Sequence, residues 1–74
     1  MVKLSVLEGR KIRLLSKSGR IYEGTVGDYV YPEDNVPEEV EAIIIDYPIR
    51  DDGYKYKNPV EFTAPEIKSI EVIA

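Results

Sequence analysis

The chain has 74 residues, 32% of them charged, a formal net charge of −4, and no cysteine or histidine. That excludes disulfides, thiolate and imidazole metal sites, and histidine acid–base catalysis. Residues 1–25 hold six basic and two acidic side chains and residues 26–74 hold four basic and twelve acidic ones, so the chain as a whole suits a phosphate backbone poorly while the first strands offer a local basic patch.

One domain spanning residues 1–74 is expected. The opening "MVKLSVLEGRK" lacks the long apolar segment of a signal peptide. Residues 10–17, "RKIRLLSK", place Ile12 and Leu14 on one face and Lys11, Arg13 and Lys17 on the other, the alternation of a half-buried strand. "KSGR" reads as a tight turn in which Gly19 supplies a positive φ. Residues 20–30 resume the alternation with Tyr22 and Val26 facing inward, which completes a hairpin. Gly24 sits inside that strand and marks a sharp bend or a close backbone approach.

Residues 31–41, "YPEDNVPEEVE", form a long acidic loop, because two prolines five residues apart do not fit a paired central strand. The strand "AIIIDY" (42–47) is apolar on both faces, so it is covered on both sides or pressed against another subunit. Its Ile43-Ile44-Ile45 run is far too short to span a membrane. Asp52-Gly53 signals a turn, and "YKYKNPVEF" (54–62) gives a further strand, shortened or split at Pro59. "TAPEI" reads as one turn of 3-10 helix with Thr63 as N-cap and Pro65 in the first turn, and "IKSIEVIA" closes the chain as a strand. The sum is an all-β, five-stranded, strongly bent small barrel with a 3-10 turn before the last strand.

With those strands placed, the stretch "LEGRKIRLLSKSGRIYEGTVGDYV" resembles the first motif of Sm and Sm-like (LSm) proteins. In that motif one glycine precedes the first long strand, a second makes the hairpin turn and a third bends the second strand, here Gly9, Gly19 and Gly24. "VEFTAPEIKSIEVI" is similar to the family's second motif. The resemblance, closest to the small Sm-like proteins of bacteria, implies an SH3-like barrel that joins other copies through strand edges. It implies pairing of the fourth strand with the fifth of the next copy, roughly residues 54–62 (Tyr54 to Phe62) with 67–73 (Ile67 to Ile73). It also implies RNA as a partner, although the pocket departs from the pattern. Val30 stands where the family has an aspartate, Asn35 falls near the base-gripping asparagine, and Thr63-Ala64 replaces the Arg-Gly pair.

The residues with contact chemistry are few. Tyr29, Tyr31 and Asn35 adjoin the acidic loop, and Tyr54, Lys55, Tyr56 and Lys57 form an alternating aromatic–basic run of the kind that stacks bases and meets phosphates. The competing reading of that run is an ordinary half-buried strand. The acidic loop lacks the ligand spacing of a calcium loop and reads as a solvated loop. Lys11, Arg13, Lys17 and Arg20 suit a phosphate backbone or the acidic loop of a neighbouring copy. Asp51 and Asp52 are adjacent in a turn, unlike a catalytic carboxylate pair. No phosphate loop, nucleophile elbow or metal motif is present. The expectation is a non-enzymatic, cytoplasmic homo-oligomer without cofactor or membrane, acting as an interaction or assembly module. The alternatives are RNA or single-stranded nucleic-acid binding through the barrel loops, and SH3-like binding of a basic or proline-containing peptide in a groove formed by Tyr29 and Tyr31 beside the acidic loop.

Overall fold

Period-two alternation decides which side of each strand is buried, and the computed structural model, which describes residues 3–74, follows it closely. The strands are Lys11–Ser16 (β1), Ile21–Val30 (β2), Ala42–Arg50 (β3), Val60–Thr63 (β4) and Ile67–Val72 (β5). They form one antiparallel sheet in the spatial order β4-β3-β2-β1-β5. Ile12, Leu14, Val26, Ile43, Ile45, Phe62 and Ile67 point inward and are buried, with Tyr22 and Tyr29 packed against them. The sheet curls around this core without closing, so β4 and β5 are its two ends.

The curl comes from two opposed irregularities between β2 and β3. Glu23 pairs with Ile49 and Thr25 with Asp46, so Tyr47 and Pro48 together face Gly24 and β3 carries one extra residue. Two pairs further on, Val26 meets Ile45 and Asp28 meets Ile44, so Gly27 is the extra residue on β2. The second offset restores the register that the first one shifts. A Cβ on Gly24 would stand 2.7 Å from the Ile45 Cγ2 methyl and 3.4 Å from the backbone of Asp46 and Pro48. The bend therefore depends on a bare Cα at this position. Gly19, with φ +92° and open space around it, has only the turn conformation to satisfy.

The structure differs from the sequence reading in three places. β3 runs on to Arg50, beyond the expected end at Tyr47, because Pro48 sits in the bulge where a ladder N–H is not required. The fourth strand begins at Val60 and not at Tyr54, and residues 54–59 form a loop whose ladder pairing with β3 is a single Ile49–Lys55 bridge. Pro59 ends the ladder as expected, and the aromatic–basic run before it is held by other contacts. A 3-10 turn at Leu4–Val6 has no counterpart in the sequence reading. Its three-residue period brings Leu4 and Leu7 to one side, and both are buried in the core. The 3-10 turn Ala64–Glu66 is present as expected, and the Glu66 carboxylate reaches back to accept from the Thr63 amide (2.9 Å) and hydroxyl (2.7 Å).

Substitution effects should follow space before torsion. Gly24→Ala should cost about 1–3 kcal/mol by overpacking Ile45, which has no room to retreat. Gly19→Ala should cost about 1 kcal/mol from the left-handed torsion alone. Urea unfolding of both variants measures the order, and a larger loss at Gly19 would overturn this account of the bend.

Candidate functional site

The tyrosines singled out in the sequence fall into two groups at opposite ends of the β2–β3 ribbon. Tyr22 pairs with Arg50 at one end and Tyr29 with Ile43 at the other. They are seven positions apart, roughly 20 Å along β2. Tyr54 and Tyr56 belong to the first end, where Tyr56 lies 6.1 Å from Tyr22 between ring centroids. Tyr31 belongs to the second, 4.9 Å from Tyr29. The structure thus brings Tyr29, Tyr31 and Asn35 together and Tyr54, Lys55, Tyr56 and Lys57 together, and it does not join the two sets.

At the first end the chain from Arg50 to Tyr56 folds into a tight ionic turn. Gly53 donates its N–H to the Arg50 carbonyl, and Tyr56 donates its own to Pro48. Arg50 grips Asp52 with two bonds, Nε to Oδ1 at 3.1 Å and Nη2 to Oδ2 at 2.7 Å. Its guanidinium carbon also lies 4.9 Å from the Tyr54 ring centroid and 5.9 Å from that of Tyr56. The two rings stand at 88° with centroids 4.9 Å apart. The hydrogen bonds from Arg50, and then the Tyr54 amide, hold the Asp52 carboxyl well below the usual carboxylate range. Arg20 adds contacts to Asp51 (3.3 Å) and Asp52 (3.4 Å). Sequence reasoning missed Arg50 and Asp52. The signal was there as an Arg-Asp-Asp-Gly turn directly before the tyrosines.

At the second end Tyr29 donates its hydroxyl to Glu41 at 2.8 Å, and Glu41 raises the Tyr29 phenol above its ordinary value. Tyr31 is 56% exposed and meets Tyr29 at 82°. Asn35 donates its side-chain amide to the Val40 carbonyl at 3.0 Å, which commits it to holding the loop. The loop itself contains a short 3-10 turn, Pro32–Asp34, and its end is fastened to the turn after β4 by the Ala64 amide donating to the Glu41 carbonyl at 2.8 Å. Tyr47 was also outside the sequence-derived set. It is 60% exposed and holds φ +46° at the first bulge, a torsion unusual for an aromatic residue.

Charge is sorted as sharply as the rings. Between Arg20 and Arg50 the sequence has no lysine or arginine. Among the described residues, none of the seven carboxylates from Asp28 to Asp46 joins an ion pair. No group of three or more metal-ligating side chains occurs among the described residues. Arg13 of the early basic set is held by Glu23 and Glu71, both at 3.0 Å. A cleft of about 200 Å³ lined by Ser16, Lys17, Ser18, Tyr22, Phe62 and Glu66 opens beside the β1–β2 turn. Three of its polar side chains are already committed: Ser16 Oγ bonds Ser18 (2.7 Å) and the Arg20 backbone, and Glu66 caps Thr63.

No family profile and no curated protein matches the sequence. Among solved structures, the crystal structure of a novel Sm-like archaeal protein from Pyrobaculum aerophilum is similar, with a TM-score of 0.73 and 20% sequence identity over 96% of this chain. The chain spans about half of that one, 48% of its length. The fold is therefore Sm-like, a five-stranded small barrel.

Asp52 makes the ionic turn pH-dependent. Its folded pKa is depressed, so its contribution is present above the unfolded value of about 3.9 and is lost as pH falls below it. Thermal melts of wild type and Asp52→Asn should differ at neutral pH and converge on acidification below about pH 4. A difference that persists unchanged at low pH would remove Asp52 ionisation as its source.

Proposed function

We propose that the protein is a non-enzymatic interaction module that self-associates by pairing the β4 edge of one copy with the β5 edge of the next. The observation that carries this reading is the open sheet. β4 and β5 are the terminal strands, and only the three-residue turn Ala64–Glu66 lies between them in the chain. Each terminal strand leaves a row of backbone groups without a strand partner, a surface that folded proteins cover, blunt or pair. The usable edges are Val60–Thr63 and Ile67–Val72, narrower than the Tyr54-to-Phe62 stretch that the sequence suggests. Their exposed faces are complementary. Glu61 stands on β4 and Lys68 on β5, and neither joins an ion pair among the described residues.

Nucleic-acid binding through the loops has less support. Asn35 is committed to Val40, Thr63-Ala64 offers no arginine, and the loop carries uncompensated negative charge. The tyrosine–lysine run keeps Lys55 and Lys57 exposed, while its two rings already hold Arg50.

Light scattering should give a mass that is a multiple of 8.4 kDa and that changes little between low and moderate salt, because backbone pairing carries the contact. Lys68→Glu should weaken the assembly a few-fold by setting it against Glu61. A constant mass of 8.4 kDa at millimolar concentration would remove the proposal.

A further inference from the structure

The protein builds the same aromatic arrangement twice and, among the described residues, places a cation in one of the two. Tyr54 and Tyr56 stand at 88° with centroids 4.9 Å apart, and Tyr29 and Tyr31 stand at 82° with the same separation. Two rings at a right angle make a corner whose walls include π faces, and the negative face of a tyrosine ring attracts a cation. The first corner holds the chain's own Arg50, 4.9 Å and 5.9 Å from the two centroids, with Asp52 paired to the same guanidinium. The second has the carboxylate and, among the described residues, no cation over its rings. Glu41 accepts from the Tyr29 hydroxyl at 2.8 Å, and Glu33 also bears on the Tyr29 phenol, so negative charge lies beside the rings.

The remaining features of this corner suit an external occupant. Tyr29 is a fixed wall, because its ring packs on the core and its hydroxyl is bonded. Tyr31 is the open wall, 56% exposed. The segment that carries them has eight acidic residues and no basic one between Arg20 and Arg50. A phosphate-bearing partner would be repelled there, and a cationic one drawn in. We infer that the Tyr29–Tyr31 corner seats a lysine or arginine side chain of a basic peptide segment, as the Tyr54–Tyr56 corner seats Arg50. This goes beyond edge pairing and does not depend on it.

The test uses the full chain and a fluorescein-labelled peptide of alternating lysine and glycine, read by anisotropy at about 0.05 M and 0.15 M salt. The controls are the same peptide with glutamate for lysine and a hexameric oligouridylate. The lysine peptide should bind, and the two controls should not. Tyr31→Ala should weaken binding about two- to fivefold, the scale of one exposed cation–ring contact. Tyr31→Phe should stay within about twofold, since it keeps the ring. Both changes are at an exposed position, and circular dichroism of the variants confirms folding. Equal affinity for wild type and Tyr31→Ala would reduce the effect to diffuse charge and overturn the site. Oligouridylate binding lost on Tyr31→Ala would overturn the choice of partner. So would a Tyr31→Ala variant whose only change is a smaller light-scattering mass, which would make a second copy the occupant. Failure of edge pairing itself shows as a monomeric wild type and leaves the peptide titration readable.

Discussion

The architecture turns on one contact, the Ile45 methyl and the backbone around Pro48 lying against a Gly24 that has no side chain. Everything that makes this a curled barrel wall, and not a flat ribbon, passes through that spot. The extra residue on β3 bends the pair there, and the extra residue on β2 a short way along bends it again and resets the pairing. Between the two offsets Val26 and Ile45 both face inward and are fully buried. The bend also lets Tyr22 of β2 reach Phe62 of β4, 4.7 Å away between centroids, although β3 lies between their strands. Residues that are distant along the sheet thus share one core. Each end of the bent ribbon is left to carry its own loop and its own aromatic pair.

Arginines and lysines divide the work around that core. Arg13, Arg20 and Arg50 are each held by at least one carboxylate, and Arg10 donates to the Ala74 carbonyl. No lysine joins an ion pair among the described residues. The planar guanidinium suits fixed, multi-point contacts, and the flexible ammonium suits solvent. Arg13 shows the structural use clearly. It stands on β1 between Glu23 of β2 and Glu71 of β5 and ties three neighbouring strands on the outer face. Such exposed pairs each contribute little, about 0–1 kcal/mol. They do neutralise Arg13 and Arg20, two of the four early basic residues, and leave Lys11 and Lys17 outside any ion pair among the described residues.

Much of this was legible because strands write their burial into the sequence at period two. Ile12 and Leu14 against Lys11 and Arg13, and Gly19 and Gly24 at the turn and the bend, need only local information. The bulges were not legible. An offset of one residue depends on which residue lies opposite, and nothing in "AIIIDYPIR" states that Tyr47 and Pro48 share Gly24 as a partner. The strand end at Tyr47 was misplaced for that reason. The "YKYK" run misled in a related way. Its alternation is that of a strand, but Arg50 and Asp52 capture it first, and a bidentate ion pair two residues apart leaves no trace in hydrophobic periodicity. Leu4 and Leu7 were overlooked because one turn of 3-10 helix is too short to show a repeat.

The candidate site was half legible for the same reason. Composition located the tyrosines and the acidic loop but said nothing about ring angles or about which side chains were already engaged. Once placed, the two tyrosine pairs differ mainly in whether the chain supplies its own cation. Where it does, Arg50, Asp52 and the rings stabilise a turn and leave little for a ligand to gain. Where it does not, Glu41 is held beside the Tyr29 ring and pairs with no cation among the described residues. Fixing Tyr29 through Glu41 and the core places the cost of ordering that wall in folding and not in binding. On the proposal above, an arriving cation has to order only Tyr31 and itself.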